Sequence, residues 1–356
     1  MALRRPPLLL TMALALTVCA AAPRAADDFL FSRFSDYLDA LRVQAGIPGL
    51  AAAIVGPTDV LWEHVYGYQD VERNIPTRLD TPFQLDGTTQ TVIAGRVLRC
   101  AANNELSLED PVGKYAPNSP DASATLGQLL THTTATPTGL VFSYRLERLA
   151  PLAAAVGDCT ESTMRWGIAE LMNRMAMSDS VPGLDVAQLT APAERFPADW
   201  LDRYRRVVAR LATPYAVTSS NRPVPSTYVA RTLTPGSGLI STLIDLERYD
   251  LALKDGAVTT RRGALDYAWT PPVDQLGRPL PHGYGWFVQT YGVEKVVWQF
   301  GVSDNASSSM VITLPWRGLT LIMLANSSGL ARPFPLAAGD VTVSPFARLF
   351  LSLFAR

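Results

Sequence analysis

Hydrophobic and polar residues follow two different spacings along this chain. Apolar residues at intervals of three and four, which predict helices with one buried face, occur in residues 29–45, 89–102, 166–177, 200–211 and 344–354. Segments that alternate or run apolar as strands do are residues 50–55, 60–66, 285–291, 309–314 and 318–325. The first two of these strands follow each other closely, which predicts an antiparallel pair.

The order of these elements indicates an α+β fold. A helix and strands come first, a long and mostly helical middle follows, and strands with a final helix close the chain. An antiparallel sheet built from both chain ends, flanked by helices and interrupted by a helical region, accounts for this order. We expect the sheet part to cover residues 27–86 and 237–356, and the helical part to cover residues 87–236.

The N-terminus has the features of an export signal. Arg4 and Arg5 precede an apolar run over residues 8–18, and small residues follow at positions 20–22. The run is shorter than the roughly 20 residues that span a bilayer. We predict a signal peptide over residues 1–26, an exported (periplasmic or secreted) mature domain over 27–356, and no membrane span after its removal. An uncleaved anchor is the alternative.

Composition excludes several function classes. The 31 basic and 32 acidic residues nearly balance, and no run of like charge stands out, which argues against a nucleic-acid partner. The three histidines show no metal-ligand spacing, and no glycine-rich phosphate loop is present, so we predict no metal and no cofactor. Cys100 and Cys159 remain after signal removal, either as a disulfide or as two buried thiols.

Several segments resemble one known family. They are "IPGLAAAIV" (residues 47–55), "LSLEDPVGKYAP" (106–117), "TLGQLLTHTT" (125–134), "GSGLISTLIDLERY" (236–249) and "GYGWFVQ" (283–289). The chain resembles the serine β-lactamase and penicillin-binding protein superfamily, in its class C and D,D-peptidase-like branch. The resemblance implies that family's fold, with a cleft between the sheet and the helical region. It also implies cleavage of amides or esters through an acyl-serine intermediate.

The catalytic serine and lysine of that family are missing. Members carry S-x-x-K at the start of a helix, where serine attacks and lysine takes its proton. The matching segment, residues 83–90, reads "FQLDGTTQ", which puts Gly87 at the nucleophile position and Gln90 at the lysine position. The motif has not moved elsewhere, because the residues three before the only lysines are Pro111, Leu251 and Gly292.

The two other family motifs are also altered. The Tyr-x-Asn element matches Tyr144-Arg145-Leu146, so the phenol is kept and the substrate-binding amide is replaced. The third element, a cationic residue followed by x-Gly on the strand beside the cleft, matches Gln299-Phe300-Gly301. Gln299 therefore stands where a positive charge would attract a substrate carboxylate.

Three hypotheses remain. The first is a non-catalytic relative whose cleft binds a small molecule or a cell-wall-type peptide. The second is a hydrolase that uses other groups, such as Thr88 or a water held by Tyr144 and Gln90. The third is a scaffold that acts through its surface. We expect Thr88 and Thr89 to cap the helix that follows them.

Overall fold

The computed structural model describes residues 22–188, 196–260 and 263–355. Most of the predicted signal peptide, residues 1–21, lies outside this part of the chain. The first helix, α1 (Ala22–Gln44), begins seven residues before the position that the apolar spacing predicted, 29 against 22. Within the described ranges, no helix is long and apolar enough to cross a membrane.

The strands form one large sheet and three small pairs. In chain order they are β1 (Gly49–Val55), β2 (Val60–Asp70), β3 (Ile75–Pro76), β4 (Phe83–Gln84), β5 (Thr133–Thr136), β6 (Gly139–Phe142), β7 (Tyr215–Val217), β8 (Pro223–Pro225), β9 (Ile240–Ser241), β10 (Phe287–Tyr291), β11 (Glu294–Ser303), β12 (Ser307–Leu314) and β13 (Leu319–Ala325). The large sheet has the order β10-β11-β12-β13-β1-β2-β3, and its neighbours are antiparallel. The predicted pairing of β1 with β2 is confirmed, although β2 continues beyond Gly67.

The other helices flank the sheet or lie in the middle of the chain. They are α2 (Thr89–Ala102), α3 (Leu126–Leu130), α4 (Leu152–Cys159), α5 (Met164–Arg174), α6 (Ala198–Val208), α7 (Leu243–Lys254), α8 (Ala264–Ala268) and α9 (Pro345–Phe354). The predicted helix over 89–102 is confirmed at both ends. The middle of the chain also contains the short hairpins β5–β6 and β7–β8, which the helical spacing did not predict.

β1 is buried on both faces because the sheet separates two hydrophobic cores. Ala51, Ala53 and Val55 belong to the core that contains α2 and the helical region. Leu50 and Ile54 point to the opposite core, where α1 and α9 pack together. Successive side chains of a strand point to opposite faces, so a strand between two cores has an apolar run rather than alternation. The uninterrupted apolar stretch of β1 follows from this position.

The structure also decides the cysteine question. Cys100 and Cys159 form a disulfide with a Cα–Cα distance of 6.1 Å, within the usual range for such bonds. It links the last turn of α2 to the end of α4. Two free buried thiols, the other possibility that the sequence left open, are therefore not what this structure contains.

Candidate active-site cleft

Gly87 lies where the chain passes from the sheet into α2. The short strand β4 pairs with β9, and a single 3-10 turn, Asp86–Thr88, then leads into the helix. This turn is pressed against β11. A Cβ atom on Gly87 would lie 2.7 Å from the carbonyl oxygen of Phe300 and 3.4 Å from Cα of Gly301. A Cβ on Gly301 would in turn lie 2.8 Å from the Gly87 nitrogen. Glycine at positions 87 and 301 therefore allows the backbone of the turn to pack directly against the backbone of β11.

Side chains of β12 hold the same turn in place. The Ser307 hydroxyl donates to Asp86 Oδ2 at 2.6 Å, and the Ser309 hydroxyl donates to the carbonyl oxygen of Leu85 at 2.7 Å. The Thr88 hydroxyl lies 2.7 Å from Ser309 Oγ. These groups are buried, so their hydrogen bonds are protected from competing water. The turn therefore cannot move away from β11 without breaking them.

The expectation that Thr88 and Thr89 cap α2 is wrong. Thr88 occupies the N-cap position, but its backbone is helical and its side chain accepts no hydrogen bond from the helix. Its hydroxyl contacts Ser309 instead. The Thr89 hydroxyl oxygen accepts a hydrogen bond from the backbone N–H of Leu239 at 3.3 Å. Both hydroxyls therefore fasten α2 to other parts of the fold.

Asp86 is a buried carboxyl group that the sequence analysis did not single out. It directly precedes Gly87, and its φ of 48° lies in the left-handed region that small or polar residues tolerate best. The side chain is 3% exposed. Burial raises the pKa of Asp86 to about 7, and the hydrogen bond from Ser307 offsets only part of this rise.

Gln90, at the family's lysine position, uses every polar atom of its side chain. Its Nε2 donates to Tyr144 Oη at 2.8 Å and to the Gly87 carbonyl oxygen at 3.1 Å. Its Oε1 lies 3.0 Å from Nε2 of His132. The backbone N–H of Arg145 donates to His132 Nδ1, so the proton of this ring must be on Nε2, which donates to Gln90. Both donor hydrogens of the Gln90 amide are therefore used, and its oxygen already accepts one hydrogen bond.

Gln299, at the family's cationic position, uses both its amide hydrogens and both lone pairs of its amide oxygen in hydrogen bonds. Its Oε1 accepts hydrogen bonds from the Tyr144 hydroxyl at 3.2 Å and from the Phe300 backbone N–H at 2.9 Å. Its Nε2 lies 3.3 Å from His282 Nε2 and 3.3 Å from the Gly285 carbonyl oxygen. The other ring nitrogen of His282 is 2.7 Å from the next residue's carbonyl oxygen. That nitrogen therefore carries the proton, and Nε2 accepts from Gln299.

The resulting chain of hydrogen bonds carries no charge near neutral pH. Burial, together with the positive charge of Arg148, lowers the pKa of His132 to about 3. Burial and the neighbouring His132 place the pKa of His282 well below its usual value. Burial also raises the pKa of the Tyr144 phenol. Two neutral amides, Gln90 and Gln299, thus stand where the family has its lysine and its second cation, and a phenol and two neutral imidazoles are hydrogen-bonded to them.

Leu146 packs beside the turn that contains Gly87. Its Cδ1 lies 3.4 Å from where a Cβ of Gly87 would be, and it packs on the hydrophobic core. The structure brings all six positions singled out from the sequence into one place: Gly87, Gln90, Tyr144, Leu146, Gln299 and Gly301. It adds His132 and His282, which the sequence analysis did not assign to the site. Each lies in or beside a segment that matches the family. Nothing in the sequence indicates that the two rings pack against each other, with their centroids 4.8 Å apart.

Comparison with known proteins agrees with this architecture. The profile of the family described as Beta-lactamase matches residues 33–176 and 185–342. The chain belongs to the β-lactamase family. Family membership and the mixed helix and antiparallel-sheet fold expected from the sequence are thereby confirmed, and the altered motifs are those of a family member.

Individual relatives are distant. "Protein flp" of Staphylococcus aureus (strain COL) is 22% identical over an alignment of 305 positions that covers 79% of this chain and 60% of that protein. The chain thus spans about three-fifths of the length of these curated relatives. "Esterase EstB" of Burkholderia gladioli is 30% identical over 111 residues, 29% of this chain and 28% of the esterase.

Solved structures show the same fold. The octameric penicillin-binding protein homologue from Pyrococcus abyssi superimposes with a TM-score of 0.72 at 17% identity, covering 90% of this chain and 77% of that one. A class C β-lactamase from Rhodobacter sphaeroides gives 0.67 at 15% identity, covering 90% and 98%. D-alanine carboxypeptidase AmpC from Burkholderia cenocepacia gives 0.66 at 20% identity, covering 91% and 99%. At these identities the likeness concerns the fold alone.

Proposed function

We propose that this chain is an exported, non-catalytic member of the β-lactamase family with a binding or scaffold role. One observation carries the proposal. The nucleophile position is a glycine whose absent Cβ would lie 2.7 Å from the Phe300 carbonyl oxygen. A serine side chain has neither a counterpart here nor space in this arrangement, and without a nucleophile no acyl-enzyme can form.

The remaining polar groups support the same proposal. A general base needs a lone pair that is free to accept a proton. The Gln90 amide is not basic, and the hydrogen bonds of His132 and His282 are already made with Gln90 and Gln299. Gln299 also leaves this point of the cleft without the positive charge that would attract a substrate carboxylate.

The alternative of a hydrolase with other groups has little support. The Thr88 hydroxyl is buried and contacts Ser309, which itself donates to a backbone carbonyl. No base contacts Thr88 among the hydrogen bonds of the described chain. A catalytic water between Tyr144 and Gln90 would need a free partner on each, whereas the two side chains are bonded to each other at 2.8 Å.

This geometry also bears on the ligand. We expected a small molecule or a cell-wall-type peptide in the cleft. Gly87, Gln90 and Gln299 are buried, so a ligand could reach them only after the residues that cover them moved. We therefore propose that any binding role uses surfaces outside these three positions, as a scaffold protein would.

Covalent labelling tests the absence of acyl-serine chemistry. Purified protein is incubated with a fluorescent penicillin and, separately, a fluorophosphonate, with an active class C β-lactamase as the positive control. Intact-mass measurement should show no stoichiometric adduct on this chain. A stoichiometric adduct that maps to a hydroxyl such as Thr88 would overturn the proposal. The double variant Gly87→Ser/Gln90→Lys should also remain unlabelled, because the restored serine would face the Phe300 carbonyl.

Export is supported by one sequence prediction and one structural observation. The predicted signal peptide precedes the domain, and the Cys100–Cys159 disulfide is of a kind that persists in oxidising compartments. N-terminal sequencing of the protein from fractionated cells that express the full chain tests this. We expect a mature start between residues 21 and 27 in the exported fraction. An intact Met1 on protein confined to the cytosol would contradict it.

A further inference from the structure

The disulfide has a carboxylate beside it. Cys159 Sγ lies 2.9 Å from Glu105 Oε2. The two sulfur atoms and a carboxylate oxygen of Glu105 all lie within 4.8 Å of one another. The sulfur and oxygen ligands of a tetrahedral zinc ion lie about 3.5–3.8 Å apart, given Zn–S bonds of about 2.3 Å and Zn–O bonds of about 2.1 Å. Once the sulfur–sulfur bond is broken, small side-chain rotations could therefore bring all three atoms to one ion.

The surroundings suit a metal site with three protein ligands. Asn103 Nδ2 donates to Glu105 Oε1 at 3.2 Å, which orients the carboxylate and leaves Oε2 directed at the sulfur. Glu105 also lines a groove with a volume of about 530 Å³. Neither cysteine lines this groove, so an ion would approach the cluster from the side of the Glu105 carboxylate. Cys100 is buried, whereas Cys159 is partly exposed and Glu105 is exposed.

Positive charge lies close to the carboxylate of this cluster. Arg96 and Arg99 lie on α2, one turn and one residue before Cys100, and both interact electrostatically with Glu105 and Arg174. Two thiolates and one carboxylate around a divalent ion carry one net negative charge. The guanidinium groups compensate that charge.

We propose that reduction of the disulfide converts this junction into a binding site for one zinc-type divalent ion, with Cys100, Cys159 and Glu105 as ligands. A dithiol or phosphine supplies the two electrons: a dithiol becomes a disulfide, and a phosphine becomes a phosphine oxide that takes its oxygen from water. The two thiols formed release two protons when the ion binds. Two sulfur ligands and one oxygen ligand favour Zn²⁺ over the hard cations Mg²⁺ and Ca²⁺.

The test compares reduced and oxidised protein. The full mature chain is reduced with tris(2-carboxyethyl)phosphine, freed of reagent under nitrogen and titrated with Zn²⁺ by calorimetry. We expect one zinc per reduced chain and none per oxidised chain. Co²⁺ should give a thiolate-to-cobalt charge-transfer absorption with the reduced chain only. Circular dichroism follows the fold throughout.

Variants identify the ligands. Glu105→Gln should weaken zinc binding at least about 10-fold, and Cys159→Ser should abolish the stoichiometric binding. Glu109→Gln is the matched control, because Glu109 lines the same groove outside the cluster. If the reduced chain unfolds and zinc restores its fold, the proposal is supported. Unfolding that zinc does not reverse, equal binding by the oxidised chain, a cobalt spectrum without thiolate character, or unchanged affinity of Glu105→Gln would each overturn it.

Discussion

Adding one methyl group at Gly87 should destabilise the protein measurably. In Gly87→Ala the new Cβ would lie 2.7 Å from the Phe300 carbonyl oxygen, about 0.7 Å closer than an ordinary contact of roughly 3.4 Å. β11 cannot retreat easily, because Phe300 pairs with Met310 in the neighbouring strand β12. Overpacking of this kind costs about 1–3 kcal/mol. The stiffer backbone of alanine in the unfolded chain offsets about 0.4–1 kcal/mol of that cost.

The net loss should therefore be about 1–2 kcal/mol, which for a domain of this length corresponds to a fall in Tm of about 1.5–3 °C. Scanning calorimetry and urea unfolding of the purified variants measure it. Gly87→Ser should behave like Gly87→Ala, because the clash lies at Cβ and not at the hydroxyl.

Gly127→Ala is the matched control. Gly127 also lies in a short helix, α3, but the nearest atoms to its added Cβ are a ring carbon of Tyr284 at 3.1 Å and the Leu108 carbonyl oxygen at 3.2 Å, both farther away than the 2.7 Å at Gly87. This variant should lose less stability than Gly87→Ala. If Gly87→Ala is as stable as the unchanged protein, the turn is not pressed against β11, and the reasoning that the cleft is closed fails.

Three further predictions concern buried groups and the disulfide. Asp86 has a pKa of about 7 in the fold, so the stability it contributes is complete below its ordinary pKa of 3.8 and is lost as the pH rises through 7. In urea unfolding, Asp86→Asn should therefore raise the unfolding free energy by up to about 4 kcal/mol at pH 8 but not at pH 4. Equal effects at the two pH values would contradict this. Gln90→Glu loses two buried hydrogen-bond donors and should lower the unfolding free energy by about 3 kcal/mol at pH 8 in the same assay. Its control, Gln128→Glu, can still accept the capping hydrogen bond and should leave the stability nearly unchanged. Similar losses in the two variants would refute the hydrogen-bond network described for Gln90. Reducing Cys100–Cys159, which are 59 positions apart, should lower the unfolding free energy by about 4 kcal/mol in metal-free buffer, and an unchanged urea midpoint would argue against a structural role.

Much of the fold could be predicted from the sequence because the spacing of apolar residues within each segment indicates a helix or a strand. α2 begins and ends where the apolar pattern of residues 89–102 does. The pairing of β1 with β2 follows from their closeness in the chain and their apolar runs. The hairpin β5–β6 was missed because its residues "TTAT" and "GLVF" form strands only against each other, over too short a stretch for periodicity to register.

The loss of the serine and lysine was also determined by the sequence alone. Gly87 and Gln90 are identities that no folding can change, and the positions of three lysines exclude the motif elsewhere. The sequence does not reveal what fills the space. Two predicted caps, Thr88 and Thr89, bind other partners because distant segments place Ser309 and the Leu239 N–H within reach.

Only the tertiary structure decided the contacts between residues far apart in the chain. The network that joins Gln90, His132, Tyr144, His282 and Gln299 comes from four separate segments, and burial rather than residue type keeps its histidines neutral. The cysteine pairing and the 2.7 Å limit at Gly87 are likewise properties of packing. Hydrogen bonds and desolvation depend on which atoms come into contact in the folded protein, and the spacing of residues along the chain does not specify those contacts.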